Sequence, residues 1–186
     1  GDQLAGLPTE IDIVIDLRGN PGGRLMEADA VLSCFLPRDR WWASRTGRSG
    51  RRVELRTAGG CGDLEEPVGN DVVVLVDANS RSAAELIPAA LQEARRAVVI
   101  GVPTAGAVLI SQETPLPDGG RLSLSRADFV TSGGVRLEKR GVTPDITAAL
   151  TPEDQRAGRD PGLEAALAAL AEPVGERVLA GPPSPF

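Results

Sequence analysis

The stretch VVVLVDANSRSAAELIPAALQEARRAVVIGVPTAGA, residues 72–107, decides the fold of this chain. It lies within a segment that holds two short apolar runs, 71–78 and 97–102, which are rich in Val and Ile and typical of buried strands. Between them, 82–94 carries apolar residues at helical spacing and predicts a helix that Pro88 interrupts after its first turns. A strand, a helix and a second strand in this order predict a right-handed crossover between parallel neighbours.

The same pattern extends to both sides of this stretch. Residues 11–17 predict a third buried strand ending at the turn RGNPGG, and 25–36 predict a helix that stops before a proline. Residues 107–131 instead alternate around PDGG, which predicts an antiparallel hairpin. A helix rich in Ala and Leu is expected at 161–171. The chain is therefore predicted to be one α/β domain with a mostly parallel sheet, an antiparallel hairpin and a frayed tail at 175–186.

Composition is that of an ordinary globular domain. Of the 186 residues, 41% are apolar and 25% are charged, which is enough apolar material for a core. The formal net charge of −6 argues against a nucleic-acid surface, which needs a basic stripe. No apolar run approaches the roughly 20 residues of a membrane helix. Residues 38–70 are polar and rich in Gly and Arg, and we expect them to be the least ordered part, with a possible strand at 52–57.

Arginines are concentrated in one segment, RDRWWASRTGRSGRRVELR, residues 38–56. We expect a solvated, mobile loop or a rim that contacts a partner, since charge runs usually lie on a solvated face. A binding patch built from Arg and Trp is the alternative interpretation.

The chain has two cysteines, Cys34 and Cys61. An even count is compatible with a disulfide and with an exported protein, but two unpaired buried thiols explain the same count. The sequence leaves both alternatives open. A predicted core strand follows Gly1 within about ten residues, so we expect the chain to be a trimmed or excised piece of a longer protein whose N-terminal parts are absent.

Three turns follow the three predicted strands: 18–23, 79–85 and 101–107. The carboxyl ends of parallel strands meet at one edge of the sheet, where open α/β folds bind ligands. Ser82 stands at a strand-to-helix junction, where unpaired amides and the helix dipole favour a developing negative charge. A hydroxyl beside free amides is the arrangement of acyl transfer. The alternative is that Ser82 merely caps the helix, with Glu85 completing a capping box.

Three motifs occur together and in order: IVIDLRGNPGG at 13–23, the stretch 72–107, and LEKRGVTPDI at 137–146. In this combination the chain resembles the S41 peptidases, the C-terminal processing or tail-specific proteases and their relatives of the tricorn and interphotoreceptor retinoid-binding protein type. The resemblance implies a ClpP/crotonase-like fold with a ββα-superhelix core. It also implies that Ser82 is the catalytic nucleophile. The oxyanion hole is then formed by the amides of Gly22 or Gly23 and of Ala83.

The chain departs from the processing proteases at the general base. Those enzymes have a Lys where this sequence has Ala107, and the Gln four residues later is replaced by Ser111, with Gln112 adjacent. The tricorn-like branch is a better match, because its TAGA turn lacks Lys and its base is a His from an N-terminal segment. A Glu near the GVxPD motif assists that His, and Glu138 matches its place. A surface charge is the alternative for Glu138, and Lys139 as a substitute base is the remote one.

The resemblance therefore predicts a serine peptidase acting on a polypeptide, with its base supplied by a His upstream of this chain. Since the chain contains no His, we expect it to be inactive alone. A non-catalytic binding module for a peptide or a small apolar ligand is the main alternative, and a crotonase-like acyl-CoA enzyme is a weaker one. No cofactor, metal, nucleic acid or membrane span is expected. An upstream domain or a second copy is a possible partner, and the hairpin is expected to hold peptides by strand addition.

Overall fold

Two four-stranded sheets organise the chain in the computed structural model, which describes Leu4, residues 6–8 and residues 10–171. The first sheet has the order β1-β4-β5-β8 and all its neighbours are parallel. Its strands are β1 (Ile13–Asp16), β4 (Val72–Val76), β5 (Val98–Gly101) and β8 (Ile146–Thr147). The three strands predicted from the apolar runs are confirmed. The short β8, which lies in the GVTPDI motif, was not predicted.

Three helices follow the predicted positions closely. They are α1 (Leu25–Phe35), α2 (Ala83–Glu93) and α4 (Pro161–Ala171), and a short α3 (Pro152–Ala157) was not foreseen. The predicted interruption at Pro88 is wrong, because α2 continues through it. Proline removes one hydrogen bond, to the carbonyl of Ala84, and burial of the Pro88 ring in the core offsets that loss.

Helices cover both faces of the parallel sheet, which is why β4 is buried along its whole length. Alternate side chains of a strand point to opposite faces. Val72, Val74 and Val76 pack with α1 and α2 in the main core. Val73 and Leu75 pack with α4 in a second, smaller cluster.

The second sheet is antiparallel, with the order β3-β2-β7-β6. Its strands are β2 (Trp41–Gly47), β3 (Arg52–Arg56), β6 (Ile110–Pro115) and β7 (Arg121–Thr131). The hairpin predicted around PDGG is confirmed as β6 and β7. β7 pairs with β2 only over Ala127–Thr131, so the rest of the hairpin extends beyond the sheet.

The expectation of a loop at 38–56 is wrong, because 41–47 and 52–56 form the strands β2 and β3, whereas 57–70 contain no helix or named strand. Only the strand at 52–57 was anticipated. Trp42 and Ala43 are buried in the core, and the indole Nε1 of Trp42 donates to Asp29 at 3.1 Å. The guanidinium of Arg52 lies 5.5 Å from the ring centre of Trp41. β2 pairs with the neighbouring β3 on one side and with the distant β7 on the other. Its polar, arginine-rich sequence lacks the apolar run on which the other strand predictions were based.

The cysteine alternatives are decided in favour of the bond: Cys34 and Cys61 form a disulfide across a sequence separation of 27 residues. Both cysteines are buried. The bond ties the segment after β3 to the last turns of α1. The tail at 175–186 lies outside the described residues.

Candidate active site

The three turns predicted to meet at one edge of the parallel sheet do lie side by side, joined by backbone hydrogen bonds. The amide of Arg81 donates to the carbonyl of Asn20 at 3.0 Å. The amide of Ser82 donates to the carbonyl of Ala107 at 3.0 Å, and that of Ala105 to Ser80 at 3.2 Å. The turn after β4 therefore connects the other two.

Asp77, at the end of β4, holds the first two turns together. Its Oδ1 accepts the amides of Gly19, Asn79 and Ser80, each at 2.9 Å. Burial raises the pKa of the Asp77 carboxyl, but these hydrogen bonds outweigh it, and the pKa lies below its ordinary value. The ionised carboxylate is thus the form that orders the turns. The hydroxyl of Ser80 extends the network to the carbonyl of Leu17 at 2.8 Å.

Ser82 occupies the N-cap position of α2 in an unusual backbone conformation, with φ 55° and ψ −121°. Non-glycine residues rarely have positive φ, and such conformations persist where the surrounding structure enforces them, often at functional sites. The side chain is partly buried. Its hydroxyl makes no capping hydrogen bond, so of the expected capping box only the arm from Glu85 to the Ser82 amide, at 3.1 Å, is a hydrogen bond.

Gly22 lies directly against Ser82. A Cβ on Gly22 would fall 2.6 Å from the Cβ of Ser82 and 3.2 Å from the amide nitrogen of Ala83, so this approach requires glycine. The amide of Gly22 is already engaged, because it donates to the side-chain oxygen of Asn20 at 2.8 Å. Among the described residues, the amides of Gly23 and Ala83 have no acceptor. The two unengaged donors thus flank the contact between Gly22 and Ser82.

Glu85 is a residue whose importance the sequence did not reveal beyond a capping role. It is fully buried, and its carboxylate accepts four hydrogen bonds. One oxygen accepts the Thr104 hydroxyl at 2.6 Å and the Gly106 amide at 2.7 Å. The other accepts the amides of Ala107, at 2.9 Å, and Ser82. Glu85 thereby joins the turn at 101–107 to Ser82; only its spacing of three residues from Ser82 hinted at this.

The LEKRGVTPDI motif reaches the same site by way of that turn. Oε2 of Glu138 accepts the amide of Val108 at 3.0 Å, and the amide of Lys139 donates to the carbonyl of Gly106 at 2.7 Å. Both residues therefore lie beside Ala107, the position of the family lysine. The side chain of Ala107 is exposed, as is that of Lys139.

Two further charged groups of the motifs have structural partners. The guanidinium of Arg18 binds Asp16 at 2.7 Å and Asp160, just before α4, at 2.7 Å. Its hydrogen bonds lower the pKa of the Asp160 carboxyl. Asp145 accepts Gln92 of α2 at 2.8 Å and the amide of Val99 in β5 at 2.8 Å. These pairs fasten the ends of the strands to α2 and to the segment just before α4.

Within the part of the chain that the structure describes, there is neither a candidate metal site nor a candidate membrane-spanning helix. No three His, Cys, Asp or Glu side chains there lie close enough to hold a metal ion. No helix there is long and apolar enough to cross a bilayer.

Several proteins with similar sequences are named as carboxy-terminal processing proteases. The chain is 37% identical over 133 residues to the carboxy-terminal-processing protease of Bartonella bacilliformis. It is 31% identical over 134 residues to the carboxy-terminal processing protease CtpB of Bacillus subtilis. Each alignment covers 72% of this chain, and 30% and 27% of the respective relatives. The chain thus spans less than a third of these proteins.

Solved structures share the fold. The photosystem II D1 C-terminal processing protease superposes with a TM-score of 0.62 at 27% identity, over 90% of this chain and 41% of that one. Mature CPAF has a TM-score of 0.69 at 18% identity, over 95% and 45% of the two chains. The tricorn protease has 0.56 at 19%, over 88% and 15%. At these last two identities the likeness shows the fold alone, so the tricorn-like base remains a prediction.

The predicted fold class, an α/β core with a parallel sheet and an antiparallel hairpin, is confirmed by these structures. The model of one family, described as peptidase family S41, matches residues 10–148 and so includes all three motifs. On this match, the chain belongs to peptidase family S41.

Proposed function

We propose that this chain is the catalytic core of a serine peptidase, which hydrolyses peptide bonds of a polypeptide through an acyl-enzyme on Ser82. The observation that carries the proposal is the pair of unengaged amides, Gly23 and Ala83, beside a serine whose hydroxyl does not cap its helix. Preorganised N–H donors next to a nucleophile stabilise the oxyanion of acyl transfer. The names of the curated relatives, carboxy-terminal processing proteases, support the same chemistry.

The proposed reaction has two stages. The Ser82 oxygen attacks the scissile carbonyl carbon while a general base takes the hydroxyl proton, and the carbonyl oxygen becomes an oxyanion facing Gly23 and Ala83. The tetrahedral intermediate then collapses, and the C–N bond breaks as the protonated base returns its proton to the leaving amine. Water, deprotonated by the same base, hydrolyses the ester and regenerates Ser82. Gly22 contributes space rather than a donor, because its amide is held by Asn20.

The base in this proposal is a His from a part of the protein upstream of this chain, oriented by Glu138. Support comes from the chain itself, which has no His and has Ala107 where the processing proteases have Lys. The carboxylate of Glu138 accepts the amide of Val108, so Glu138 lies next to Ala107, the position at which the processing proteases have their Lys. Lys139 is the competing base; its backbone is close, but its side chain is exposed.

Introducing a base by substitution tests the proposal without the upstream part of the protein. Ala107→Lys places an amine at an exposed position whose backbone carbonyl accepts the Ser82 amide. A general base contributes on the order of 10²–10⁴ in rate, so reaction of Ser82 with a fluorophosphonate probe should rise about 100-fold or more. Ala105→Lys is the matched control, since Ala105 is exposed in the same turn, and it should leave the rate unchanged.

Site identity is checked by Ser82→Ala in the Ala107→Lys background, which should abolish labelling. Equal slow labelling of the Ala107→Lys and Ala105→Lys proteins, both folded by circular dichroism, would contradict the proposal. Labelling of the longer protein that was lost on Lys139→Ala would assign the base to Lys139 instead of a His.

One observation favours a second function, a non-catalytic binding module. Within the described residues two unengaged amides lie beside Ser82, but no side chain forms a hydrogen bond with its hydroxyl. A longer protein that binds peptide and folds normally, yet leaves Ser82 unlabelled, would establish this alternative.

Substrate and location follow as parts of the same proposal. β6 begins shortly after Ala107 and forms an exposed edge of the antiparallel sheet, which suits strand addition by an extended peptide. The buried Cys34–Cys61 disulfide supports an exported protein, because such bonds persist in oxidising compartments. An upstream domain or a second copy remains the proposed partner.

A further inference from the structure

A groove runs along α1, whose first residue, Leu25, lies two residues after Gly23. It encloses about 700 Å³ between α1, the strand β3 and the Cys34–Cys61 disulfide. Leu25, Met26 and Ala30 line it from the helix, and Leu55 lines it from the strand. Neither the three motifs nor the proposed reaction accounts for this groove.

The opposite wall of the groove includes β3, an edge strand of the antiparallel sheet. Within the described residues β3 pairs only with β2 and is the outermost strand. Three consecutive residues of β3, 54–56, line the groove. Trp42 of β2 also lines it, so the groove meets the sheet face as well, while three consecutive lining residues of the outermost strand indicate that it extends to the edge of β3. Edge strands present unpaired N–H and C=O groups to an incoming extended peptide.

Apart from the backbone edge of β3, the groove offers apolar surface, because its polar side chains already have partners. Asp29 accepts the indole of Trp42 at 3.1 Å, and the hydroxyl of Ser33 accepts the amide of Gly59 at 3.1 Å. The carboxylate of Glu54 forms an ion pair with Arg56 at 2.9 Å. Met26 is 83% exposed, although it is unbranched, flexible and apolar. A charged ligand group would find no unpaired counterpart here, whereas an apolar side chain would cover exposed surface.

The groove is also within reach of Ser82. Gly22 touches Ser82, and Leu25 lies three residues further on, at most about 11 Å away along the chain. An extended peptide advances about 3.3 Å per residue. About three residues of an extended substrate are therefore long enough to reach from Ser82 to Leu25 at the groove.

We propose that the α1–β3 groove, at the sheet edge opposite β6, is a second binding surface for the polypeptide substrate. It adds a separate segment of the substrate to the edge of β3 and encloses a large apolar side chain about three residues from the scissile bond. This inference rests on the proposed function, of which it names the substrate class. The proposed occupant is an extended peptide. Two features favour it: a free strand edge lies beside an apolar pocket, and the helix that lines the pocket begins directly after the Gly23 turn. Another segment of the longer protein lying in the groove would be the contrary result.

Peptide binding tests the groove without any need for catalysis. Fluorescein-labelled Ala-Ala-Ala-Xaa-Ala-Ala-Ala-Ala peptides, with Xaa either Phe or Asp, are titrated against the chain by fluorescence anisotropy. Burial of one aromatic side chain predicts about 10- to 100-fold tighter binding of the Phe peptide. Methylating the backbone nitrogens of that peptide should remove most of its affinity, because strand addition needs the N–H groups.

Ala30→Trp fills the groove from the helix and should weaken binding of the Phe peptide about 10-fold or more. Ala168→Trp is the matched control, since Ala168 is an exposed alanine of α4 remote from the groove lining, and it should leave binding unchanged. Equal affinities for the Phe and Asp peptides, or binding that is unaffected by Ala30→Trp, would overturn the inference.

The outcome is separable from that of the proposed function. Probe labelling of Ser82 in Ala107→Lys together with indifference to Ala30→Trp would retain the peptidase and reject the groove. Selective binding of the Phe peptide with no labelling of Ser82 would retain the groove on a binding module. The same titration is repeated with the longer protein. If the isolated chain binds the Phe peptide but the longer protein does not, another segment occupies the groove and the inference is overturned.

Discussion

The contact between Gly22 and Ser82 can be tested by adding one methyl group. In Gly22→Ala the new Cβ would lie 2.6 Å from the Cβ of Ser82 and 2.8 Å from the carbonyl oxygen of Arg81, well inside van der Waals contact. The φ of +99° is also one that alanine rarely adopts. We expect the backbone strain to cost about 1–2 kcal/mol and the clash about 1–3 kcal/mol. The free energy of unfolding should therefore fall by roughly 2–5 kcal/mol.

Gly119 supplies the matched control, because its φ is +85° but a Cβ there would meet no atom within 4 Å. Gly119→Ala should lose only the backbone contribution, about 1–2 kcal/mol. Urea denaturation followed by circular dichroism measures both variants. With a denaturant slope of about 2 kcal/mol per molar, the midpoint should fall by roughly 1–2.5 M for Gly22→Ala and roughly 0.5–1 M for Gly119→Ala.

Equal midpoint shifts in the two variants would refute the reasoning, because Gly22 would then have the room that the structure denies it. The comparison also has a functional arm. In the Ala107→Lys background, Gly22→Ala should slow probe labelling of Ser82, since the methyl group displaces both Ser82 and the amide of Ala83. Gly119→Ala should not change that rate.

Three further perturbations follow from the same structure. Reducing the Cys34–Cys61 bond should lower the free energy of unfolding by about 3.5 kcal/mol, from a loop of 27 residues; an unchanged urea midpoint in dithiothreitol would contradict this. Asp77 has a folded pKa below the ordinary 3.8, so its stabilisation is complete above that value and is lost as pH falls through the folded pKa. Asp77→Asn should therefore have a lower melting temperature than the parent at neutral pH, and the difference should disappear in acid. A difference in melting temperature that stays constant across pH would exclude this role of Asp77. Glu85→Gln should cost about 2–4 kcal/mol in the urea assay, because its amide N–H groups would face donors; a loss no larger than that of the exposed Glu153→Gln would contradict the network.

The elements of the parallel sheet were predictable because their signals are local. An apolar run bounded by turn residues indicates a buried strand, and apolar spacing followed by a proline indicates a helix and its end. The β6–β7 hairpin was equally local, with its turn at PDGG. β2 was missed because its sequence is polar and arginine-rich, and its order comes from pairing on both sides, with the neighbouring β3 and with β7 far along the chain. Pro88 misled for a related reason, since burial in the core overrides a local penalty.

The candidate site divides in the same way. Ser82 was placed at a strand-to-helix junction by its position in the chain, and the glycine turn was placed by its composition. The choice between Gly22 and Gly23 as donor was not readable, because it depends on where the side chain of Asn20 points. Nor was the burial of Glu85, since its hydrogen-bond donors come from a turn about twenty residues away.

The sequence by itself determined the order of strands and helices, the serine at the head of α2 and the lack of a histidine. Tertiary structure alone decided that Gly22 touches Ser82, that the two cysteines are bonded and that α1 and the free edge of β3 enclose a groove. The physical reason is the sequence distance over which each kind of interaction acts. Backbone preferences and apolar periodicity act over a few residues, whereas these contacts join segments brought together by strand pairing, as when β1 lies in register with β4 about sixty residues later.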